Sequence, residues 1–255
     1  MIAGVKDLAV ISWIPMALFS EPSPRLSGVS LVDQTSDRLR QAIFQGSFPP
    51  GAHLREMRIA KDYGVSQSTV REALQRLESA GLVTRSPHIG TTVTRLSPRE
   101  VRERVALRTL LEVKAAEEAA IQMGEAEFIE LEARLAALAE PIMRDAYYEA
   151  AQADLDFHRY IWECSGNETL CALLGQITVP LMAFVSVLRA TGVQRLAITT
   201  DSHEPLVNAL RSKDRAKIAE AFARGASSSY ADFMDVTPMS QRARAFGMLE
   251  DAPPL

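Results

Sequence analysis

The stretch that decides the N-terminal fold is residues 56–81, EMRIAKDYGVSQSTVREALQRLESAG. It predicts a short helix over Glu56–Tyr63, because apolar residues recur at helical spacing and Gly64 stands where a helix ends. Ser66 can then accept hydrogen bonds from the first backbone N–H groups of a longer helix, Gln67–Ala80. A short helix, a tight turn and a longer helix form a helix-turn-helix, whose second helix enters the major groove of DNA.

The first turn of the second helix carries the side chains that reading DNA requires. Short hydrogen-bonding groups and an arginine follow the turn, and these residue types bond to base edges and phosphates. Two further arginines flank the start of the short helix. The candidate DNA contacts in this region are Arg55, Arg58, Ser66, Gln67, Ser68, Thr69 and Arg71.

The flanking sequence completes a small domain. Apolar spacing predicts a preceding helix over Asp33–Gln45. Two β-prone runs within residues 82–94 surround a turn and predict a hairpin, the wing. The residues placed to approach phosphate or the minor groove are Arg85, His88 and Gly90. We therefore expect a winged helix-turn-helix domain over residues 31–95.

Charge is divided unevenly along the chain. Residues 31–95 carry nine Lys and Arg against six Asp and Glu, whereas residues 96–255 carry 17 against 24. The formal net charge of the whole chain is −4. A basic N-terminal third on an acidic remainder favours contact between that third and a polyanion.

The composition favours a mainly α protein of more than one domain. The chain has 255 residues, of which 47% are hydrophobic, 24% charged and only 6% aromatic. These values exclude a collagen-like or wholly disordered chain, and the Ala, Leu and Glu content favours helices over a β-sandwich. The two cysteines, Cys164 and Cys171, are too few for a disulfide framework, so we expect a reducing, cytoplasmic location.

The N-terminal residues 1–30 resemble neither a domain nor an efficient export signal. Their longest apolar stretch, residues 8–19, is broken by Pro15, and Asp7 is unfavourable in a signal peptide. No uninterrupted apolar run approaches the roughly 20 residues that span a membrane. We expect a disordered or over-annotated extension, with Met16 as an alternative start.

The remainder of the chain predicts an antiparallel helical bundle over residues 100–235. A linker, residues 96–99, leads into a capping box formed by Ser97 and Glu100. The tail, residues 236–255, is rich in proline and predicted to be disordered. The predicted helices are 100–123, 125–140, 146–164, 168–190, 194–212 and 215–235.

Three residues of the bundle could bind a metal ion. Asp154 and His158 are four residues apart, so both project from one face of a helix. With His203 they offer oxygen and nitrogen ligands that suit Zn²⁺, Ni²⁺ or Mn²⁺. The alternatives are a surface or partly buried helix contact and a catalytic metal centre of a hydrolase, although no general base partner or nucleophile signature accompanies these residues.

The N-terminal motifs resemble the winged-helix domain of GntR-family transcriptional regulators. The matching motifs are Pro50-Gly51-x-x-Leu54-x-Glu56, Gly64-Val65-Ser66, Thr69-Val70-Arg71-Glu72-Ala73-Leu74 and Gly81-Leu82-Val83. The resemblance implies that Arg71 holds a backbone phosphate, that Ser66 and Thr69 lie on the DNA, and that Gly90 lies at the wing tip. The family usually has arginine where this chain has Gln67; glutamine pairs with adenine, whereas arginine prefers guanine.

The C-terminal motifs resemble the ligand-binding FCD domain of the FadR-like subfamily. The matching motifs are Arg108, Leu111-Glu112, Asp154-x-x-Phe157-His158, Ser165-Gly166-Asn167, and His203 followed by Leu206, Ala209, Leu210 and Asp214. Many members hold a divalent metal with an aspartate and three histidines. Asp154, His158 and His203 match three of these ligands, but the fourth position is Gly225. The resemblance therefore leaves two alternatives, a three-ligand metal site and a metal-free effector cavity.

Together these features predict a transcriptional regulator, and we expect a repressor. The resemblance implies a homodimer on a palindromic double-stranded operator, controlled by a small organic-acid effector. Arg108 could pair with that effector, or form a surface salt bridge with Glu112. The alternatives to a regulator are the metal-dependent hydrolase and a protein–protein adaptor that uses the winged helix without DNA. No membrane partner is expected.

Overall fold

A computed structural model of the chain describes residues 29–87, 89–190 and 200–230. The N-terminal domain has the predicted order of three helices and a two-stranded antiparallel wing. Its elements are α1 (Leu31–Phe44), α2 (Glu56–Tyr63), α3 (Gln67–Ser79), β1 (Val83–Ser86) and β2 (Gly90–Val93). The expectations for residues 1–28, His88, 191–199 and 231–255 lie outside the described residues.

The turn between α2 and α3 forms as its residues predict. Gly64 ends α2 in the left-handed region, with φ +67°, which glycine adopts without steric cost. Ser66 precedes α3, and its hydroxyl oxygen accepts a hydrogen bond of 3.1 Å from the Thr69 backbone N–H. Leu74 and Leu77 are fully buried beneath the turn and hold the helices of this domain together. The turn is therefore fixed at one end by Gly64 and at the other by the Ser66 cap.

The rest of the described chain is helical, which confirms the predicted mainly α fold class. The predicted capping box is present: Ser97 accepts from the Glu100 N–H, and the Glu100 carboxylate accepts from the Ser97 N–H. The helices are α4 (Pro98–Gln122), α5 (Glu125–Ala137), α6 (Ala139–Met143), α7 (Tyr147–Cys164), α8 (Glu168–Ala190), α9 (Thr200–Ser212) and α10 (Arg215–Ser229).

The prediction of one continuous helix over residues 125–140 is wrong. It ends at Ala137, and the short α6 follows. Pro141 explains the break, because it has no N–H to donate to the Ala137 carbonyl four residues earlier.

The core helix of the bundle is α8. Its stretch Glu168–Val187 has a mean hydropathy of 2.0, high enough by length and composition to cross a membrane, but 67% of that stretch is buried inside the protein. This stretch does not stand out as an apolar run in the sequence, because polar residues interrupt it. Pro180 lies within α8, which continues on both sides of it. Such burial is typical of the central helix of a bundle.

The winged-helix domain packs against the bundle through apolar residues. Helix α1 contacts α7 and α8, and Phe44 meets Tyr148 edge to face with 5.6 Å between ring centres. At the end of α3, Gly81 has φ +73°, and a Cβ atom added there would lie 2.8 Å from the Pro180 side chain. The two parts of the chain are therefore in close contact at Gly81.

Replacing Gly81 should report on that contact. Gly81→Ala is expected to lower the free energy of unfolding by about 1–3 kcal/mol more than Gly64→Ala does. Both glycines have positive φ and pay a similar backbone cost, but a Cβ at Gly64 would meet no atom within 4 Å. Urea unfolding followed by circular dichroism measures both, and equal losses would show that the contact with α8 is absent in solution.

Candidate functional site

The first turn of α3 is accessible, as DNA reading requires. Gln67 and Ser68 are exposed there, and the Ser66 hydroxyl lies 2.7 Å from that of Ser68 and 2.8 Å from that of Thr69. These short side chains thus hydrogen-bond to one another and remain accessible to solvent. The bundle does not cover this surface.

A carboxylate organises the polar side chains beside this turn. Glu56, at the start of α2, accepts hydrogen bonds from Arg71 Nη2 at 2.9 Å and from Gln67 Nε2 at 3.1 Å. Its other oxygen lies 3.8 Å from Arg85 Nη2 on the wing. The hydrogen bond from Arg71 lowers the pKa of Glu56. Glu56 belongs to a motif that is recognisable in the sequence, but the sequence alone does not indicate its place in the site.

The other predicted DNA contacts have varied surroundings. Arg55 is exposed just before α2, and Arg58 is exposed beside Asp62, with 3.6 Å between their charged groups. Arg85 is half-buried and donates to the Arg71 backbone carbonyl at 3.3 Å. Gly90 is exposed at the start of β2 with φ +90°, and a Cβ there would meet no atom within 4 Å. The wing tip is therefore open for close approach.

The three predicted metal ligands come together inside the bundle. Asp154 and His158 lie on α7 and His203 on α9, and all three side chains are buried. Asp154 Oδ1 lies 2.7 Å from His203 Nε2 and 3.9 Å from His158 Nε2. One potential ligand atom from each residue falls within 4.8 Å of the others. The packing of two helices thus creates the group that the sequence suggested.

Both imidazole rings have a polar partner on the side away from Asp154. His158 Nδ1 lies 3.1 Å from Glu112 Oε1, and His203 Nδ1 lies 3.0 Å from the Ser202 hydroxyl. Metal-binding histidines characteristically have such outer partners, which orient the ring and its free nitrogen. The arrangement turns the two Nε2 atoms toward Asp154, so these residues fit a divalent ion.

Arg108 and Glu112 form a buried ion pair next to these residues. Arg108 Nε lies 3.1 Å from Glu112 Oε2, and Arg108 Nη1 donates to the Tyr230 hydroxyl at 2.7 Å. Burial alone would raise the pKa of Glu112, but Arg108 and His158 hold it at about 2. The salt bridge with Glu112 that sequence analysis considered at the surface is therefore present but buried.

The charges around the group favour a cation. Burial would raise the pKa of Asp154, but the hydrogen bond with His203 and the nearby His158 and Arg108 lower it. Two ionised carboxylates, Glu112 and Asp154, thus face a single arginine. Counted without the histidines, these three groups carry one negative charge in excess, which a bound divalent ion would more than offset.

A small polar cavity, lined by residues that include Arg108, His158, His203 and Gly225, adjoins the ligand group. The cavity has a volume of about 20 Å³, which is enough for an ion or a water molecule. A wider groove of about 610 Å³ runs between α9 and α10, and it shares Ser202 and Gly225 with the cavity. Gly225 therefore lies where the cavity and the groove meet.

Comparisons with known proteins match both domains. Residues 31–93 match the family described as bacterial regulatory proteins, gntR family, and residues 103–225 match the FCD domain. A probable D-xylose utilization operon transcriptional repressor of Paenarthrobacter nicotinovorans is 32% identical over 193 residues, covering 75% of this chain and 84% of that protein. The gluconate operon transcriptional repressor of Bacillus licheniformis is 26% identical over 202 residues, covering 76% and 81%.

Solved structures show the same architecture. The Escherichia coli protein McbR/YncC superposes with a TM-score of 0.67 at 24% identity, covering 81% of this chain and 98% of that one. At this identity the likeness concerns the fold alone. The helix-turn-helix and the wing lie within residues 31–93, and the buried ligand group lies within residues 103–225. The chain therefore belongs to the GntR family of bacterial transcriptional regulators, with an FCD domain as its C-terminal part.

Proposed function

We propose that this chain is a repressor that binds a palindromic operator as a homodimer and releases it when a small organic acid binds the FCD domain. The observation that carries the proposal is the exposed polar first turn of α3, with Arg71 beside it. Two relatives are named as transcriptional repressors, which supports the direction of regulation. The proposed location is the cytoplasm, where the chromosome is.

In this proposal the N-terminal residues divide between bases and phosphates. Gln67 and Ser68 face base edges, while Arg71 binds a backbone phosphate. The wing reaches the adjacent backbone or the minor groove. The remaining proposed contacts are Arg55, Arg58, Ser66, Thr69, Arg85, His88 and Gly90.

Selection of bound duplexes from a random pool tests this function. The full chain should enrich a motif with two inverted half-sites, since a symmetric dimer places two recognition helices on one face of the DNA. A promoter bearing that motif should then give less transcript in vitro when the protein is added. An unenriched pool would overturn the proposal, and a rise in transcript would overturn repression.

The proposed dimer contact is a face of α4. Leu107, Leu110 and Ile121 are 50%, 69% and 78% exposed, and their spacing places them along one side of the helix. Three exposed large apolar side chains on one helix face favour burial against a partner. The neighbouring Leu111 and Val113 pack instead into the core of the same chain.

Leu110→Glu is expected to convert the dimer to a monomer, because the substitution places a charge in the middle of the apolar face. Ile129→Glu on α5 is the matched control: Ile129 is 61% exposed, but it lies on another helix. Light scattering at a series of protein concentrations measures the mass. A dimer that survives Leu110→Glu, or that Ile129→Glu also dissociates, would contradict the assignment of this face.

The proposed effector site spans the polar cavity and the groove between α9 and α10. The cavity is too small for an organic acid, so we infer that Asp154, His158 and His203 hold a metal there and that the acid lies in the groove. A three-ligand ion has an open position for a carboxylate, and Gly225 leaves the way to it unblocked. Arg108 lines the cavity, so the carboxylate end of an acid lying in the groove would compete with Glu112 for it.

We expect no enzymatic activity, because the relatives are named as transcriptional repressors; a hydrolase would hold its substrate in the same groove beside the metal. Thermal unfolding with a panel of small acids, gluconate among them, tests the effector site. An acid that raises the melting temperature of Zn²⁺-loaded protein but not of stripped protein supports metal-assisted binding. An equal rise in both would favour the metal-free alternative, and turnover abolished by a chelator would favour a hydrolase.

A further inference from the structure

The contact between Glu56 and Gln67 affects which DNA base the protein recognises, in addition to how the protein docks on DNA. Gln67 stands at the first position of α3, where its exposed side chain would meet a base edge in the proposed complex. Its Nε2 donates to Glu56 Oε2 at 3.1 Å. Two residues on different helices, 11 positions apart, therefore share one hydrogen bond at the DNA-facing surface.

The chemistry of the pair fixes which way the Gln67 amide points. An ionised carboxylate only accepts hydrogen bonds, so the amide must turn its NH₂ group, not its carbonyl oxygen, toward Glu56. Arg71 donates to the same carboxylate oxygen at 2.9 Å, and Arg85 lies 3.8 Å from the other oxygen. These two cations keep the carboxylate ionised and in place. The reversed amide would set two acceptor oxygens against each other.

This contact uses one N–H of the Gln67 amide, which leaves the other N–H and the carbonyl oxygen available to bond to a base. That donor and acceptor match adenine, whose N7 accepts and whose N6 amino group donates in the major groove. Guanine presents two acceptors there and leaves the Gln67 oxygen unpaired. We propose that Glu56 is a positioning residue that orients Gln67 to select adenine at one position of each half-site. The inference rests on the proposed operator binding.

The test compares the duplexes selected by the full-length chain and by Glu56→Gln. A glutamine at position 56 can both donate and accept, so Gln67 is free to turn either way. We expect the parent to enrich adenine at one position per half-site and Glu56→Gln to lose that preference by roughly 10-fold, with the other positions unchanged. Asp37→Asn is the matched control, since it removes one exposed carboxylate of the same domain, paired with Arg40.

A second variant keeps the test decisive if Glu56→Gln unfolds. Gln67→Arg leaves Glu56 in place and should move the preferred base at the same position from adenine to guanine. A folded Glu56→Gln that keeps the adenine preference, a Gln67→Arg that does not change the base, or a parent motif without adenine would overturn this inference and leave the regulator intact. A pool that the parent does not enrich would overturn the proposed function as well. Circular dichroism shows which variants are folded.

Discussion

Arg71→Ala is expected to lower the affinity for the selected operator about 100-fold or more. A hydrogen bond to a charged group contributes about 1.5–3 kcal/mol, and a dimer loses one phosphate contact in each half-site. Arg71 also neutralises Glu56, with 2.9 Å between the charged atoms. Its removal leaves a less compensated carboxylate facing the DNA, which adds repulsion to the lost contact.

Salt dependence distinguishes this role from a general loss of folding. Each phosphate contact contributes about 0.9 to the slope of log K against log salt concentration, so Arg71→Ala should reduce the slope by about 2 per dimer. The loss should also be similar for sequences that share the base read by Gln67, unlike that of a base contact. Fluorescence anisotropy with a labelled duplex at several salt concentrations measures both quantities.

Arg224→Ala is the matched control for this prediction. Arg224 is 74% exposed on α10 and pairs with Glu220, so its replacement removes the same charge far along the chain from α3. We expect the slope to remain that of the parent. If Arg71→Ala also left the slope unchanged, Arg71 would not bind phosphate, and the docking of α3 would have to be reconsidered.

The N-terminal fold could be predicted from sequence because its signals are local. Gly64, Ser66 and the apolar spacing in the helices on either side of them fix the turn within a few residues, and α2 has the predicted bounds. The role of Glu56 could not be predicted in this way. Its partners lie 11 and 15 residues away on α3, and that proximity arises only when the two helices pack.

The buried ligand group likewise combines a local feature that sequence predicts with contacts that arise only when the helices pack. Asp154 and His158 are four residues apart on one helix, so their convergence follows from helical geometry. His203 lies on α9, and its 2.7 Å contact with Asp154 depends on how the bundle packs. The burial of Arg108 and the small size of the cavity depend on packing as well. Sequence therefore suggested the ligands but not the room available to an effector.

Asp154→Asn is expected to weaken binding of Zn²⁺ by at least about 100-fold, more than the loss of an outer partner causes. The substitution keeps the shape of the side chain but removes the charged ligand that faces both histidines. Asp156→Asn on the same helix is the control, since Asp156 is exposed beside Arg159. Competition with a chromophoric Zn²⁺ chelator measures the affinity. Parent protein that takes up no Zn²⁺ under these conditions would favour the metal-free alternative.

Gly225→His tests the same site by adding a ligand. A Cβ at position 225 would lie 3.6 Å from the nearest atom, Leu206 Cδ2, an ordinary contact, so the backbone admits a side chain there. Zn²⁺ prefers four ligands, and a histidine beside the polar cavity should tighten binding by about 10-fold or more. Because the new ring would fill the junction with the groove, the same variant should lose the stabilisation by organic acids. Tighter metal binding with an unchanged acid response would show that the acid enters elsewhere.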